Sequence, residues 1–270
     1  MKSISWDTLL FMVGVHILAI IALLPQFWSW GAFFTFFSLY WITACWGVTL
    51  GYHRLLSHRS FKVPKWLERF FATCGALSAE YGPITWSGLH RQHHKHSDHD
   101  LDPHDINKGF FWSHFGWMMV DVPAEKLVRR YTGDLRSDPY YRWLDKYFLF
   151  LQIPLGIALF YIGGWHWVLW GIPLRMVVVY HLTWCINSVV HTWGTQPFDS
   201  DDNSRNNRIM GWLAFGEGWH NNHHAYPTSA KHGLQGQFDL TWYIIVVLKT
   251  FGLANNVRVP EINNSNNGDL

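Results

Sequence analysis

Charge is scarce in this chain. Of its 270 residues only 15% are Asp, Glu, Lys or Arg, against about 25% in an ordinary soluble domain. Lys and Arg are missing altogether between Lys2 and Arg54, and again between Lys146 and Arg175. Cysteine is nearly absent too. Cys45, Cys74 and Cys185 lie far apart and form no CxxC pair, which excludes a zinc ribbon, an iron–sulfur cluster and a disulfide framework. With a formal charge of +2 and no basic block, nucleic acid is excluded as a partner.

What replaces charge is apolar. Hydrophobic residues make up 49% of the chain and aromatics 18%, a balance that points to lipid. Four uncharged or nearly uncharged runs are long enough to cross the hydrocarbon, which takes about 17 to 25 residues: 8–24, 28–50, 147–163 and 165–190. Turns at Pro25–Gln26 and Gly163–Gly164 make them two hairpins. The N-terminal run imitates a signal peptide, but no small-x-small cleavage site follows, so it is expected to stay as a helix.

The expected fold is therefore an all-α membrane protein, one domain over 1–270. Four transmembrane helices stand as two hairpins beneath a helical cap formed by 51–146 and 191–270. The hairpin tips are uncharged, and the basic residues lie in the termini and the middle segment, which places those on the cytoplasmic side. Trp28, Trp30, Trp165 and Trp167 flank the tips as an interfacial belt. Trp66, Leu67, Phe70, Phe71, Cys74 and Leu77 recur at helical spacing, as in an amphipathic helix at the membrane surface or against a core; the run 240–253 reads the same way. Arg175 falls inside the fourth run, where a charge is costly unless it is paired or functional.

Histidine is the abundant polar residue, with 17 copies, and most of them cluster. Four groups stand out: His53 with His58, His90-x-x-His93-His94, Asn187 with His191, and His220-x-x-His223-His224. On a helix, successive residues turn about 100°, so HxxHH gathers its three imidazoles on one side. Asn187 and His191, four apart, share a face. His53 and His58, five apart, fit no single α-helical stripe, so the chain is expected to unwind after the second span. All nine histidines fall at the cytoplasmic ends of the spans.

Nine imidazoles are too many for one zinc, which takes three or four protein ligands, and suffice for two ions. Imidazole suits zinc, copper, iron and nickel alike. Asp98, Asp100, Asp102 and Asp105, interleaved with His96, His99 and His104, are either carboxylates that orient ligating histidines or a solvated polar loop. Glu217 has the same standing. His16, His114, His166, His181 and His232 are assigned structural roles. Arg91, Lys95, Lys108 and Arg130 read as positive-inside residues.

At these positions the chain resembles the membrane fatty-acid desaturases of the stearoyl (delta-9) type. The matching strings are Gly51-Tyr-His-Arg-Leu-Leu-Ser-His-Arg-Ser-Phe61, Gly88-Leu-His-Arg-Gln-His-His-Lys-His-Ser-Asp98, Asp102-Pro-His-Asp105, Asn187-Ser-Val-Val-His191 and Gly216-Glu-Gly-Trp-His-Asn-Asn-His-His224. Ala230-Lys-His-Gly-Leu234 looks like the bacterial and cyanobacterial branch. The resemblance implies that His53, His58, His90, His93, His94, His191, His220, His223 and His224 bind two irons, with Asn187 holding a water. It also implies O2 as co-substrate and a membrane lipid or acyl thioester as substrate. No haem-binding segment follows the last histidine box, so electrons are expected from a separate carrier, ferredoxin rather than cytochrome b5. A plasma or thylakoid membrane would be the site of action.

Desaturation removes hydrogens from unactivated methylenes, which no side-chain acid or base can do; a metal centre must supply that chemistry. Bulky Phe37 or Trp41, above the ligands on the second span, is expected to limit chain length. The neighbouring reading is a membrane hydroxylase or alkane monooxygenase, which retains oxygen in its product. A metal transporter is the remote alternative, since transporters place their ligands near the bilayer midplane.

Overall fold

The computed structural model describes residues 3–120, 128–234 and 236–261, and Lys2 lies outside them. Among the described residues the architecture is all helical, with isolated β-bridges and no strand. Helix α1 spans Trp6–Ala22. A short turn at Pro25–Phe27 reverses the chain, and Ser29 then caps α2 (Trp30–Tyr40) by accepting from the Ala32 N–H at 3.1 Å. At Trp41 the helix widens to π winding and runs on to Ser57, giving one apolar helix of 28 residues.

This widening corrects the expectation that the chain unwinds before the first histidines. A π-helix closes i→i+5 hydrogen bonds, so residues five apart share a face. His53 and His58 are such a pair, and the His58 N–H donates to the His53 carbonyl at 3.1 Å. The spacing that fits no α-stripe fits this one.

Two glycines let the wide helix lie backbone to backbone on α3 (Lys65–Ala76). A Cβ on Gly47 would strike the Cys74–Gly75 backbone, and one on Gly51 would come 2.9 Å from the Phe71 carbonyl. Helix α3 buries Leu67, Phe71 and Cys74 against this partner and leaves Trp66 and Phe70 exposed. That makes it a core helix with an apolar outer edge.

Helix α4 (Pro83–His96) carries the first HxxHH group. Its N-terminus is capped from a distance: Asp145, on α7, accepts from the Ile84 and Thr85 N–H groups, both at 2.9 Å. Between them lie α5 (Phe110–His114) and α6 (Gly133–Arg136); α7 itself spans Pro139–Tyr147. Helix α8 (Gln152–Leu169) breaks at Gly164, whose φ of 64° suits glycine. A π turn at Trp170–Leu174 leads into α9 (Arg175–Ser188), which ends in a tighter turn at Val189–His191. Three shorter helices follow: α10 (Arg208–Leu213), α11 (His220–Ala225) and α12 (Leu240–Thr250).

Two stretches, Trp30–Ser57 and Pro139–His191, are long and apolar enough to cross a membrane; Trp6–Ala22 is apolar and shorter. Leu10, Ile17, Ile20, Phe34, Tyr161, Ile162 and Trp165 all point outward, more exposed apolar surface than a soluble monomer tolerates. Arg175 is fully buried and spends its donors on the carbonyls of Gly171 and Leu77 and on Gln152 Oε1, at 3.1, 2.6 and 2.9 Å. Its charge is solvated by oxygen dipoles instead of a carboxylate.

Candidate metal centre

The wide helix, α4, the end of α9 and α11 bring all nine histidines together in two groups. His53, His58, His90, His94 and His223 form one; His93, His191, His220 and His224 form the other. Within each group the ligand atoms all lie within 4.8 Å of one another. Each HxxHH triplet divides. His90 and His94, one α-turn apart, join the first group and send His93 to the second, whereas His220 and His224 join the second and send His223 to the first. The two motifs are interleaved, so neither group can be assembled without both.

The nitrogens are arranged for cations. Three imidazoles donate Nδ1–H to carboxylates, His93 to Asp102 at 2.8 Å, His191 to Asp98 at 3.0 Å and His224 to Asp202 at 2.5 Å, while His53 Nδ1 lies 2.6 Å from Glu217 Oε2. That fixes their tautomer and leaves the Nε2 lone pairs facing inward. The Nε2 atoms then meet one another: His53 and His223 at 3.0 Å, His94 and His223 at 2.8 Å, His58 and His90 at 2.7 Å, His191 and His220 at 3.0 Å. With every proton on Nδ1, the tautomer that binds metal, these nitrogens would face one another as lone pairs, an arrangement that a cation between them relieves. An ion bound to imidazole at about 2.1 Å holds neighbouring nitrogens about 3 Å apart at right angles. The donor set therefore fits two metal ions.

Electrostatics agree. Burial, and then the crowding of neighbouring imidazoles, hold His58, His90, His94, His220 and His223 well below the usual histidine range. Burial likewise brings His224 down to about 4, though Asp202 opposes it. Neutral imidazole is the form that binds metal. Burial alone would raise the Asp102 and Asp202 carboxyls, but His93 and His224 outweigh it and hold both below the carboxylate range.

Of the loop aspartates, Asp98 and Asp102 reach histidines. Asp100 is exposed, and Asp105 caps a turn through the Asn107 N–H at 2.9 Å. Glu217 serves three buried partners, His53, Arg54 and His232, while Arg54 also holds Asp239 at 2.9 Å. Asp202 had no sequence signal beyond its acidic run. His232, assigned a structural role from sequence, belongs to the site: it is 1% exposed, its ring lies 4.3 Å from that of His223, and its Nδ1 is 3.2 Å from Glu217 Oε2. Arg91 is a brace, donating to the Leu56, Ser57 and Tyr131 carbonyls and to Asp134.

Two cavities with shared lining residues lie beside the histidines. The larger, ≈ 300 Å³, runs from Asp7, Thr8 and Phe11 on α1 past Tyr81 and Trp117. The smaller, ≈ 60 Å³, runs between Ala44, Val48, Val179 and Ile186 to Tyr40 and Phe215. Both are lined by Trp86, His90, Thr183 and Asn187. Phe37 and Trp41 line neither and turn outward, 47% and 36% exposed. Tyr40, one residue from Trp41, closes the smaller cavity and donates its hydroxyl to the Leu213 carbonyl at 2.7 Å.

Long apolar helices, a buried two-group imidazole centre and a largely apolar passage beside it define a membrane-associated protein with a candidate two-metal site. Residues 27–239 match the fatty acid desaturase family model. The chain is 51% identical over 260 residues to the sn-1 stearoyl-lipid 9-desaturase of Anabaena variabilis, covering 96% of each chain. It is 50% identical to the sn-1 stearoyl-lipid 9-desaturase of Synechocystis sp., covering 95% of this chain and 81% of that one. The sn-2 palmitoyl-lipid 9-desaturase of a Nostoc species is 47% identical, with 94% and 90% covered. The chain belongs to the fatty acid desaturase family.

Proposed function

We propose that this desaturase inserts a cis double bond at the delta-9 position of a saturated C16 or C18 acyl chain carried by a membrane lipid. The nine histidines would hold two irons and Asn187 a water, and that centre would supply the oxidising chemistry that unactivated C–H bonds require. The observation that carries this reading is the convergence of the Nε2 atoms beside the shared lining of the two cavities. The naming of the relatives supports the lipid and the bond position.

The protein's own part is positioning. Apolar walls gain little from a chain that already lies in hydrocarbon, because the hydrophobic effect rewards removal from water. Shape must therefore decide which carbons stop beside the histidines. Trp86 and Thr183 line both cavities, and Trp86 stacks on His90 with ring centres 5.2 Å apart. The aspartates behind His93, His191 and His224 keep those three imidazoles in the ligating tautomer.

Four crossings as two hairpins, with the centre on the cytoplasmic side, are part of this proposal. Their support is the absence of Lys and Arg from both hairpin tips. Electrons come from a separate carrier, ferredoxin, reaching the cap from that side.

The test is gas chromatography–mass spectrometry of fatty acid methyl esters, with double-bond localisation, from cells expressing the wild type beside His93→Ala. Delta-9 monoenes on glycerolipid from the wild type and none from the variant are expected. Hydroxylated chains would overturn the reading.

A further inference from the structure

One buried acid in the larger cavity has no part in the metal centre. Glu80 lies in the segment between α3 and α4, and its neighbours Ala79 and Tyr81 both take left-handed backbone, with φ of 65° and 78°. Two such residues in a row of three are costly for side chains with a Cβ. The surrounding helices hold the segment in place. Tyr180 donates to the Ala79 carbonyl at 3.0 Å, Tyr52 to that of Tyr81 at 3.4 Å, and Arg175 and Gln152 to that of Leu77 at 2.6 and 3.1 Å. The outcome of this strain is the placement of Glu80, which lines the cavity beside Trp86, His90, Thr183 and Asn187.

Glu80 is 8% exposed, and its Oε1 has no hydrogen-bond partner. Its other neighbours are the Thr183 and Trp86 side chains. Arg175, the nearest cation, has turned its guanidinium to carbonyls and Gln152. The other titratable groups facing this part of the cavity are Tyr52 on the wide helix, Tyr81, Tyr180 on α9, Asp7 on α1, and His90 and His104. None of them pairs with the carboxyl as a salt bridge among the described residues. A carboxylate buried without a counter-ion is expensive, so the acid keeps its proton.

We propose that Glu80 is the proton donor to the oxygen chemistry at the metal centre. Converting –CH2–CH2– to –CH=CH– with O2 takes two electrons from the carrier and two protons, and gives two waters. Glu80 releases its carboxyl proton toward His90 and Asn187. The carboxylate then regains a proton from water entering at the exposed α1 end, near Asp7, and the cycle repeats for the second proton. This rests on the desaturase reading of the site.

Burial raises the Glu80 carboxyl to about 8, with Thr183, Trp86 and Arg175 opposing. The donor form is thus full at neutral pH and empties as pH rises through about 8. Infrared titration of the full-length protein in lipid nanodiscs should show a protonated-carboxyl stretch at pH 7 that fades through that range and is missing from Glu80→Gln. Glutamine keeps the hydrogen bonds to Thr183 and Trp86 but releases no proton. With the bound iron unchanged, Glu80→Gln should therefore make monoenes about 100-fold more slowly, the order of a general acid's contribution, and lose the alkaline limb of the pH profile. Glu80→Asp should retain that limb.

A carboxyl already ionised at pH 7 in the wild type would overturn the proposal, whatever the variants do. So would a Glu80→Gln enzyme with the wild-type rate and profile. A wild type that shows the infrared band but makes no monoene would instead sink the desaturase reading.

Discussion

The two histidine groups differ in what stands behind them. In the four-histidine group three ligands, His93, His191 and His224, each lean on their own aspartate. In the five-histidine group, among the described residues, only His53 has a carboxylate, and it shares Glu217 with Arg54 and His232. Fewer ligands with firmer backing oppose more ligands with one shared support. The first arrangement fixes each imidazole separately; the second couples the metal site to the surrounding packing. Loss of one aspartate should therefore weaken a single ion, whereas loss of Glu217 should disturb the fold as well.

The largest effect is expected from the ligands themselves. His94→Ala in one group and His220→Ala in the other should each abolish monoene formation, read by fatty acid methyl ester analysis. Each should also leave about one iron per chain, read by plasma mass spectrometry. Loss of both ions from either variant would show that the groups are not separable.

Glu217→Ala comes next. It leaves the fully buried Arg54 with Asp239 as its one carboxylate beside the Ala230 carbonyl, and breaking a buried ion pair costs about 3–5 kcal/mol. A large fall in the thermal midpoint of the purified protein is expected, with iron loss following from unfolding. Asp202→Asn should spare the midpoint and lower iron affinity or turnover about 10- to 100-fold, the usual cost of losing a carboxylate behind a ligating histidine. A drop in midpoint for Asp202→Asn equal to that of Glu217→Ala would erase the contrast drawn above.

The smallest effect concerns substrate choice. Ala44→Phe narrows the closed cavity and should shift products toward shorter chains, with total turnover kept within a few-fold. Trp41→Ala, on the outer face, should leave the product distribution unchanged. A shift with Trp41→Ala and none with Ala44→Phe would restore the aromatic expected from sequence as the limit.

Much of this was legible beforehand. The apolar runs, the turn glycine at Gly164 and the nine histidines stand in the sequence as local patterns. Three misreadings share a cause. His53 and His58 looked out of register because the α-helical period was assumed, whereas glycine contacts at Gly47 and Gly51 accompany π winding that exists only once α3 is docked. Asp202 reaches His224 from a separate loop, and the Ala230–Leu234 string marks His232 without showing that it packs on His223 and Glu217. Phe37 and Trp41 were chosen by height above the ligands, and rotation about the helix axis, set by neighbouring helices, put Tyr40 on the inner face instead.

The sequence by itself determined the class of chemistry: uncharged runs of spanning length, and nine imidazoles in recurring clusters, two of them HxxHH triplets. These are properties of composition and period, which need no partner. Only the tertiary structure decided which histidine joins which group, which carboxylate fixes which tautomer, and that Glu80 is turned into the cavity between two strained residues. Those depend on contacts between segments far apart in the chain, and such contacts arise from packing rather than from any local pattern.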